Sequence, residues 1–213
     1  MARRLVAASL EEDPALAYRH AQAARRLAAR VGIVRETAGI AAYRAGQWAD
    51  ALTELRAARR LTGRESYLPM MADSERALGR LDRALELLTG PESRDADRAT
   101  AIELRIVESG IRRDQGLFEA AVVALQIPEL TNGRAGTETV RLFYAYADAL
   151  LDAGREDEAR DWFARAAAAD VDDETDAAER LEQLDAVVFD YLDDSGEPGE
   201  PEEPLSESTS ASP

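Results

Sequence analysis

The sequence contains no cysteine, no lysine and a single histidine, His20. Without cysteine, the chain cannot form disulfides, bind zinc through thiolates or use a thiol as a nucleophile. His20 lies in a stretch rich in alanine and arginine with no carboxylate nearby in sequence. We therefore expect it to be a surface or packing residue, and not part of a catalytic dyad or a metal site.

Long apolar runs are also missing, and none approaches the length of a membrane span. The N-terminal stretch MARRLVAASLEEDPALAY has only a short apolar segment between its arginines and its first acids. A secretory signal needs a longer apolar core. The sequence therefore predicts a cytoplasmic protein without a membrane partner.

Motifs of catalysis and cofactor binding are absent as well: no glycine-rich phosphate loop, no GxSxG and no HExxH. The acidic stretch DVDDETDAAERLE resembles a calcium loop only in part, since Thr175 and Leu181 occupy the places that require glycine and glutamate. Acids at this place favour helix capping instead. We expect no metal, no cofactor and no catalytic residue, and thus a protein that is not an enzyme.

Charge is distributed unevenly along the chain, whose net charge is −16. Residues 1–69 hold 12 basic and 7 acidic residues, whereas residues 170–213 hold 1 and 16. The arginines of HAQAARRLAAR and LRAARRLTGR could bind phosphates, but the acidic C-terminal segment would compete for them. Nucleic acid is therefore the alternative partner and not the favoured one.

A repeated pattern of small residues appears when the sequence is aligned on its glycines. Each of four glycines is followed five residues later by an alanine, and the alanines are 33, 37 and 38 residues apart. The four pairs are Gly46 and Ala51, Gly79 and Ala84, Gly116 and Ala121, Gly154 and Ala159. The residues seven before these glycines are also small: Gly39, Ala72, Ser109 and Ala147.

Each unit has the apolar spacing of two helices, one on each side of the glycine. Glycine can adopt the left-handed conformation that closes a helix, so it predicts the end of the first helix. The small residues predict the place where two antiparallel helices cross closely. Pro91 and Pro128 predict short second helices in two units, and the segments PESRDADR and IPELTNGRAGTE predict loops between units.

These residues resemble the tetratricopeptide repeat family, including its small members from high-GC bacteria. The resemblance covers roughly residues 14–169 and is clearest in ETAGIAAYRAGQWADALTELRAARRL and FYAYADALLDAGREDEARDWFARAAAAD. It implies an all-α fold in which antiparallel helix pairs stack into a right-handed superhelix. We assign this array to residues 1–172, with ARRLVAASL as a first helix whose partner begins at Pro14.

Two segments follow the array. Residues 173–192 have helical apolar spacing and predict one more helix, which would cap the last apolar surface of the stack. Residues 193–213 are rich in proline, glutamate and serine and predict a disordered acidic tail. One possibility is that this tail shields the basic first third, or the arginines Arg44, Arg76 and Arg113, until a partner displaces it. The other is that it only keeps the protein soluble.

The resemblance also implies a concave groove lined by the first helices, where the family binds peptides or helices of other proteins. The residues expected to face it are Tyr43, Arg44, Arg76, Arg113 and Tyr144. The arginines could grip carboxylates of a ligand, or they could pair with the nearby Asp73, Asp114, Asp148 and Asp152. We therefore expect a non-catalytic scaffold for an unidentified protein partner, with a nucleic-acid-binding regulator as the alternative.

Overall fold

The computed structural model describes residues 2–64, 66–132 and 136–194. These residues form thirteen helices and no strand. In chain order the helices are α1 Ala2–Leu10, α2 Pro14–Leu27, α3 Gly32–Arg44, α4 Trp48–Thr62, α5 Leu68–Ala77, α6 Leu81–Thr89, α7 Pro91–Arg94, α8 Arg98–Asp114, α9 Phe118–Leu125, α10 Glu129–Asn132, α11 Thr137–Asp152, α12 Glu156–Ala169 and α13 Ala177–Asp194.

Ten of these helices form five hairpins: α1 with α2, α3 with α4, α5 with α6, α8 with α9, and α11 with α12. Successive hairpins pack against one another, because α2 contacts α3, α4 contacts α5, α5 contacts α8 and α8 contacts α11. α13 packs on α12 after the last hairpin. The expected all-α fold with paired neighbouring helices is confirmed for the described part of the chain.

The four glycines lie where four of the first helices end, as expected. Gly46, Gly79, Gly116 and Gly154 have φ angles between +67° and +74°. In each case the following amide donates to a carbonyl five residues earlier, for example from Arg80 to Glu75 at 2.9 Å. This is the Schellman arrangement, which satisfies carbonyls that a helix end leaves without partners.

The repeated small residues lie where the two helices of each hairpin cross. The alanines five after the glycines, Ala51, Ala84, Ala121 and Ala159, are all 0% exposed. At Gly39 the approach is closest, since a Cβ there would lie 2.6 Å from Leu55 Cδ2 and 3.1 Å from the Leu55 backbone nitrogen. Small side chains therefore set how near the helices of a hairpin can come.

Prolines shorten two second helices. α6 and α9 have 9 and 8 residues, against 15 in α4 and 14 in α12. The two segments expected to be loops are not entirely irregular, because they contain the single-turn helices α7 and α10. Pro91 occupies the first position of α7, where its missing amide hydrogen is not needed.

The final helix lies slightly later than expected, at Ala177–Asp194 and not at 173–192. Asp170 explains the shift, because its carboxylate accepts hydrogen bonds from the amides of Glu174 and Thr175, both at 2.8 Å. These bonds hold a turn where the helix was expected to begin. The predicted tail begins within α13, and its residues 195–213 lie outside the described residues.

In the described part of the chain, every helix is too short or too polar to cross a lipid bilayer.

Candidate functional site

A cavity of 680 Å³ lies along the first helices of four hairpins. Its lining residues come from α3, α5, α8 and α11, with Ser66 before α5 and with Glu174 and Thr175 from the turn before α13. We call this cavity the groove. Its volume lies within the range of about 300–1,000 Å³ that is common for ligand pockets.

All five residues expected to face a groove line this cavity: Tyr43, Arg44, Arg76, Arg113 and Tyr144. They come from four different helices and span about a hundred residues of sequence. The fold therefore brings together side chains that are distant in sequence. Their surroundings differ, however, and decide which of them can meet a ligand.

Arg76 is held by two aspartates. Its Nε lies 2.8 Å from Asp73 on the same helix, and its Nη1 lies 3.0 Å from Asp114 on α8. The guanidinium also lies over Gly110, where an added Cβ would meet Nη1 at 3.1 Å. Arg76 thus links α5 to α8 and is paired with aspartates of the protein itself.

Arg113 stands at the same place one hairpin later and also contacts two aspartates. Its Nε lies 2.6 Å from Asp152, and its Nη1 lies 3.5 Å from Asp148, both on α11. Asp148 also pairs with Arg180 of α13 at 3.0 Å. Burial nevertheless raises the pKa of Asp148 above its ordinary value, and the two arginines oppose this shift.

Both tyrosines are partly buried in the groove wall. The Tyr43 hydroxyl donates to Asp73 at 2.6 Å. Burial raises the pKa of Tyr43, and the negative charge of Asp73 adds to the effect. Burial likewise raises the pKa of Tyr144, with Asp176 and Asp148 as its acidic neighbours. Both hydroxyls therefore stay protonated and can act as hydrogen-bond donors at neutral pH.

These contacts follow one rule of the repeat. For the first three of the four glycines, the residue three before the glycine reaches the next first helix, at the positions six or two before that helix's glycine. Tyr43 reaches Asp73 in this way, and Arg76 reaches Asp114. Arg113 reaches both positions. The polar side chains of the groove therefore join consecutive hairpins.

A further ion pair was missed by the sequence reasoning. Arg141 contacts Glu103 through two bonds, Nε to Oε1 at 2.8 Å and Nη2 to Oε2 at 2.9 Å. The sequence did contain a signal, because these residues stand thirteen before Gly154 and Gly116 and have opposite charges. Burial raises the pKa of Glu103, while Arg141 opposes the shift.

Two charged residues of the groove have no such partner. Arg44 is exposed, and within the described residues no carboxylate lies within ion-pair distance of it. Glu174 is exposed at the other end of the groove and, among the described residues, has no paired cation. The charges left for a ligand are thus one cation beside α3 and one anion beside α13.

The floor between these ends is largely apolar. Ile40, Met70 and Ile106 are partly buried, and Pro69 and Val107 are buried. Because the arginines and acids of the central walls neutralise one another, an apolar side chain can enter without leaving an unpaired charge behind. The groove therefore suits an occupant with an apolar middle.

Two buried glutamates stabilise the array away from the groove. Glu54 is 2% exposed and pairs with Arg25 of α2 and with Arg35 of α3, the latter at 2.6 Å. Glu75 is 0% exposed and pairs with Arg56 of α4 and with Arg80, the latter at 3.3 Å. Removing either glutamate would leave cations without partners, so these arginines are not available to a ligand.

Groupings that could hold a metal ion, meaning three or more His, Cys, Asp or Glu side chains together, do not occur among the described residues. His20 is partly buried on α2, as expected of a packing residue. The acids of the DVDDETDAAERLE stretch form a turn in which Asp170 caps the backbone. The Thr175 hydroxyl donates to this carboxyl, as do the two backbone amides, and these hydrogen bonds hold the pKa of Asp170 below its ordinary value.

No family model matches the chain, and no curated protein is similar enough to count as a match.

Proposed function

We propose that the chain is a tetratricopeptide-like superhelical scaffold that holds a segment of another protein in the groove. The observation that carries this proposal is the convergence of side chains from four first helices on one cavity with an apolar floor. The wall charges are paired with one another, so the groove offers shape and apolar surface more than reactive groups. Such a surface serves binding without chemistry.

A peptide library tests this proposal directly. Purified protein would select binders from a display library of random peptides, and their affinities would be measured by fluorescence anisotropy. Ala99 lines the groove and is exposed, so Ala99→Trp should block it without disturbing the core. Ala164→Trp on α12 is the matched control, since Ala164 is also exposed but lies outside the groove.

The expected result is a loss of affinity of tenfold or more, about 1.4 kcal/mol, in Ala99→Trp and no change in Ala164→Trp. Equal binding by both variants, or no enriched peptide at all, would contradict the proposal.

A second candidate function, nucleic-acid binding, has one observation in its favour. Arg19, Arg26 and Arg60 are exposed on α2 and α4, and within the described residues none has an ion-pair partner. The two helices lie side by side, because Arg25 of α2 pairs with Glu54 of α4. Three exposed guanidinium groups without ion-pair partners among the described residues could contact phosphates.

The test of this candidate is an anisotropy titration with a labelled DNA duplex at about 50 mM salt. Binding that disappears in Arg19→Glu with Arg26→Glu, but survives in Arg83→Glu on α6, would support it. If the protein binds neither a duplex nor a single strand at this salt concentration, nucleic-acid binding is eliminated as a function.

A further inference from the structure

We infer that the groove selects a segment with a carboxylate at one end, a cation at the other and apolar residues between them. This inference rests on the proposed function and specifies the chemistry of the partner. It commits to a segment of another protein, because the groove presents an anion as well as a cation. The chain's own residues 195–213 contain five glutamates and no basic residue, so they complement only one end.

The cationic end departs from the repeat. Arg44 stands two residues before Gly46, and the equivalent positions two hairpins and three hairpins later are Asp114 and Asp152. Those aspartates are occupied by Arg76 and Arg113 of the preceding hairpins. Arg44 has the opposite charge at this position and faces the groove without a partner among the described residues, so it is available to a carboxylate of the occupant.

The anionic end is held in place by its backbone. Glu174 lies in the turn that the Asp170 carboxylate fixes through the amides of Glu174 and Thr175 and through the Thr175 hydroxyl at 2.7 Å. The side chain of Glu174 is exposed and lines the groove. Because the backbone of this turn is already ordered, only the side chain of Glu174 loses conformational freedom when it binds a cation.

The length of the groove sets how far apart the two charges of its occupant must lie. From α3 to α11 there are three steps between packed first helices, about 25–30 Å at the usual spacing of 8–10 Å. An extended chain covers the distance with about seven to nine residues.

The test uses the same random peptide library on the full-length protein. We expect enriched peptides to carry an acid and a base about six to nine positions apart, with apolar residues between them. Arg44→Glu should weaken binding of a selected peptide about two- to fivefold, as is typical of an exposed ion pair. Binding should recover when the acid of that peptide is changed to arginine, a rescue that a purely structural role would not produce.

Glu174→Arg should give the mirror result, with recovery when the peptide's base becomes glutamate. The matched controls are Arg19→Glu on α2 and Glu182→Arg on α13. Both residues are exposed and lie outside the groove, and each control changes the net charge by the same amount as the variant it matches. Both should leave binding unchanged.

Each other outcome has a defined meaning. The library could enrich apolar peptides that have no charge pattern and whose binding is still lost in Ala99→Trp. That result would overturn this inference and leave the groove proposal standing. Peptides insensitive to Ala99→Trp would overturn both. Tighter peptide binding when Glu200, Glu202 and Glu203 are changed to Gln in the full chain would identify the tail as the occupant and overturn the commitment to a partner segment.

Discussion

At the scale of single residues, the glycines that end the first helices act through backbone conformation alone. Gly79 has a φ of +72°, and a Cβ added there would meet no atom within 4 Å. Any effect of substitution must therefore come from the cost of the left-handed conformation and not from a clash.

We predict that Gly79→Ala lowers the free energy of unfolding by about 1–2 kcal/mol. Gly79→Asn should cost less, because asparagine tolerates the left-handed conformation better than alanine does. Urea unfolding followed by circular dichroism measures both variants. If Gly79→Ala were as stable as the unsubstituted protein, the helix end would not depend on this conformation.

Glu103 gives a prediction about pH. Burial raises the pKa of its carboxyl, so the folded protein binds this proton more tightly than the unfolded chain does. The associated stability is present below the unfolded pKa and is lost as the pH rises through the folded pKa. At neutral pH the ionised Glu103 therefore lowers the free energy of unfolding relative to its protonated form.

Glu103→Gln should accordingly raise the free energy of unfolding at pH 7, and this gain should shrink as the pH falls toward 4. Urea titrations of both proteins at several pH values provide the measurement. The bidentate pair with Arg141 opposes this effect. A glutamine variant that is less stable at pH 7 would mean that the pair outweighs the burial of the carboxylate.

At the scale of helices and hairpins, two glycines inside helices make a matched comparison. Gly39 lies in α3 and Gly110 in α8, so both would gain helix propensity on change to alanine. A Cβ at Gly39 would collide with Leu55, including its backbone nitrogen at 3.1 Å, whereas the three atoms nearest a Cβ at Gly110 all belong to the end of the Arg76 side chain.

We predict that Gly39→Ala lowers the free energy of unfolding by about 1–3 kcal/mol, because the crossing of α3 and α4 cannot open without loss of packing. Gly110→Ala should change it by less than about 1 kcal/mol, since the gain in helix propensity offsets a displaced arginine. Equal changes in the free energy of unfolding in the two variants would show that α3 and α4 can separate enough at Gly39 to accept a methyl group.

The hairpins were largely predictable from sequence because their signals are local. Glycine, alanine and proline act through their own backbone and size, so Gly46, Ala51 and Pro91 indicated helix ends, helix crossings and a shortened helix. The start of α13 was less predictable, since it depends on hydrogen bonds from the turn to Asp170. The single turns α7 and α10 are too short to produce an apolar period.

The polar contacts between hairpins were only partly predictable. Sequence placed Arg76 and Arg113 near aspartates but left open whether they would pair, because the spacing of the first helices decides this. The structure resolves both as internal pairs. The pair of Arg141 with Glu103 was missed although the two residues occupy the same place in neighbouring hairpins, thirteen before Gly154 and Gly116.

At the scale of the whole molecule, paired charges and unpaired charges have different roles. The paired ones join consecutive first helices, and Arg44 and Glu174 remain at opposite ends of one groove. Surface ion pairs contribute about 0–1 kcal/mol each, so their main effect is to define register and leave an apolar floor between neutral walls. In the proposed function, this groove would recognise a partner by shape, apolar contact and the charges at its two ends.

Because the chain contains no cysteine, single cysteines can report where a partner lies. The most direct test compares the rates at which a thiol reagent modifies Ala99→Cys in the groove and Ala164→Cys on α12, with and without a selected peptide at saturation. We predict that the peptide slows the modification at position 99 several-fold and leaves the rate at position 164 unchanged. Protection at position 164, or at neither position, would contradict the claim that the first helices form the binding surface.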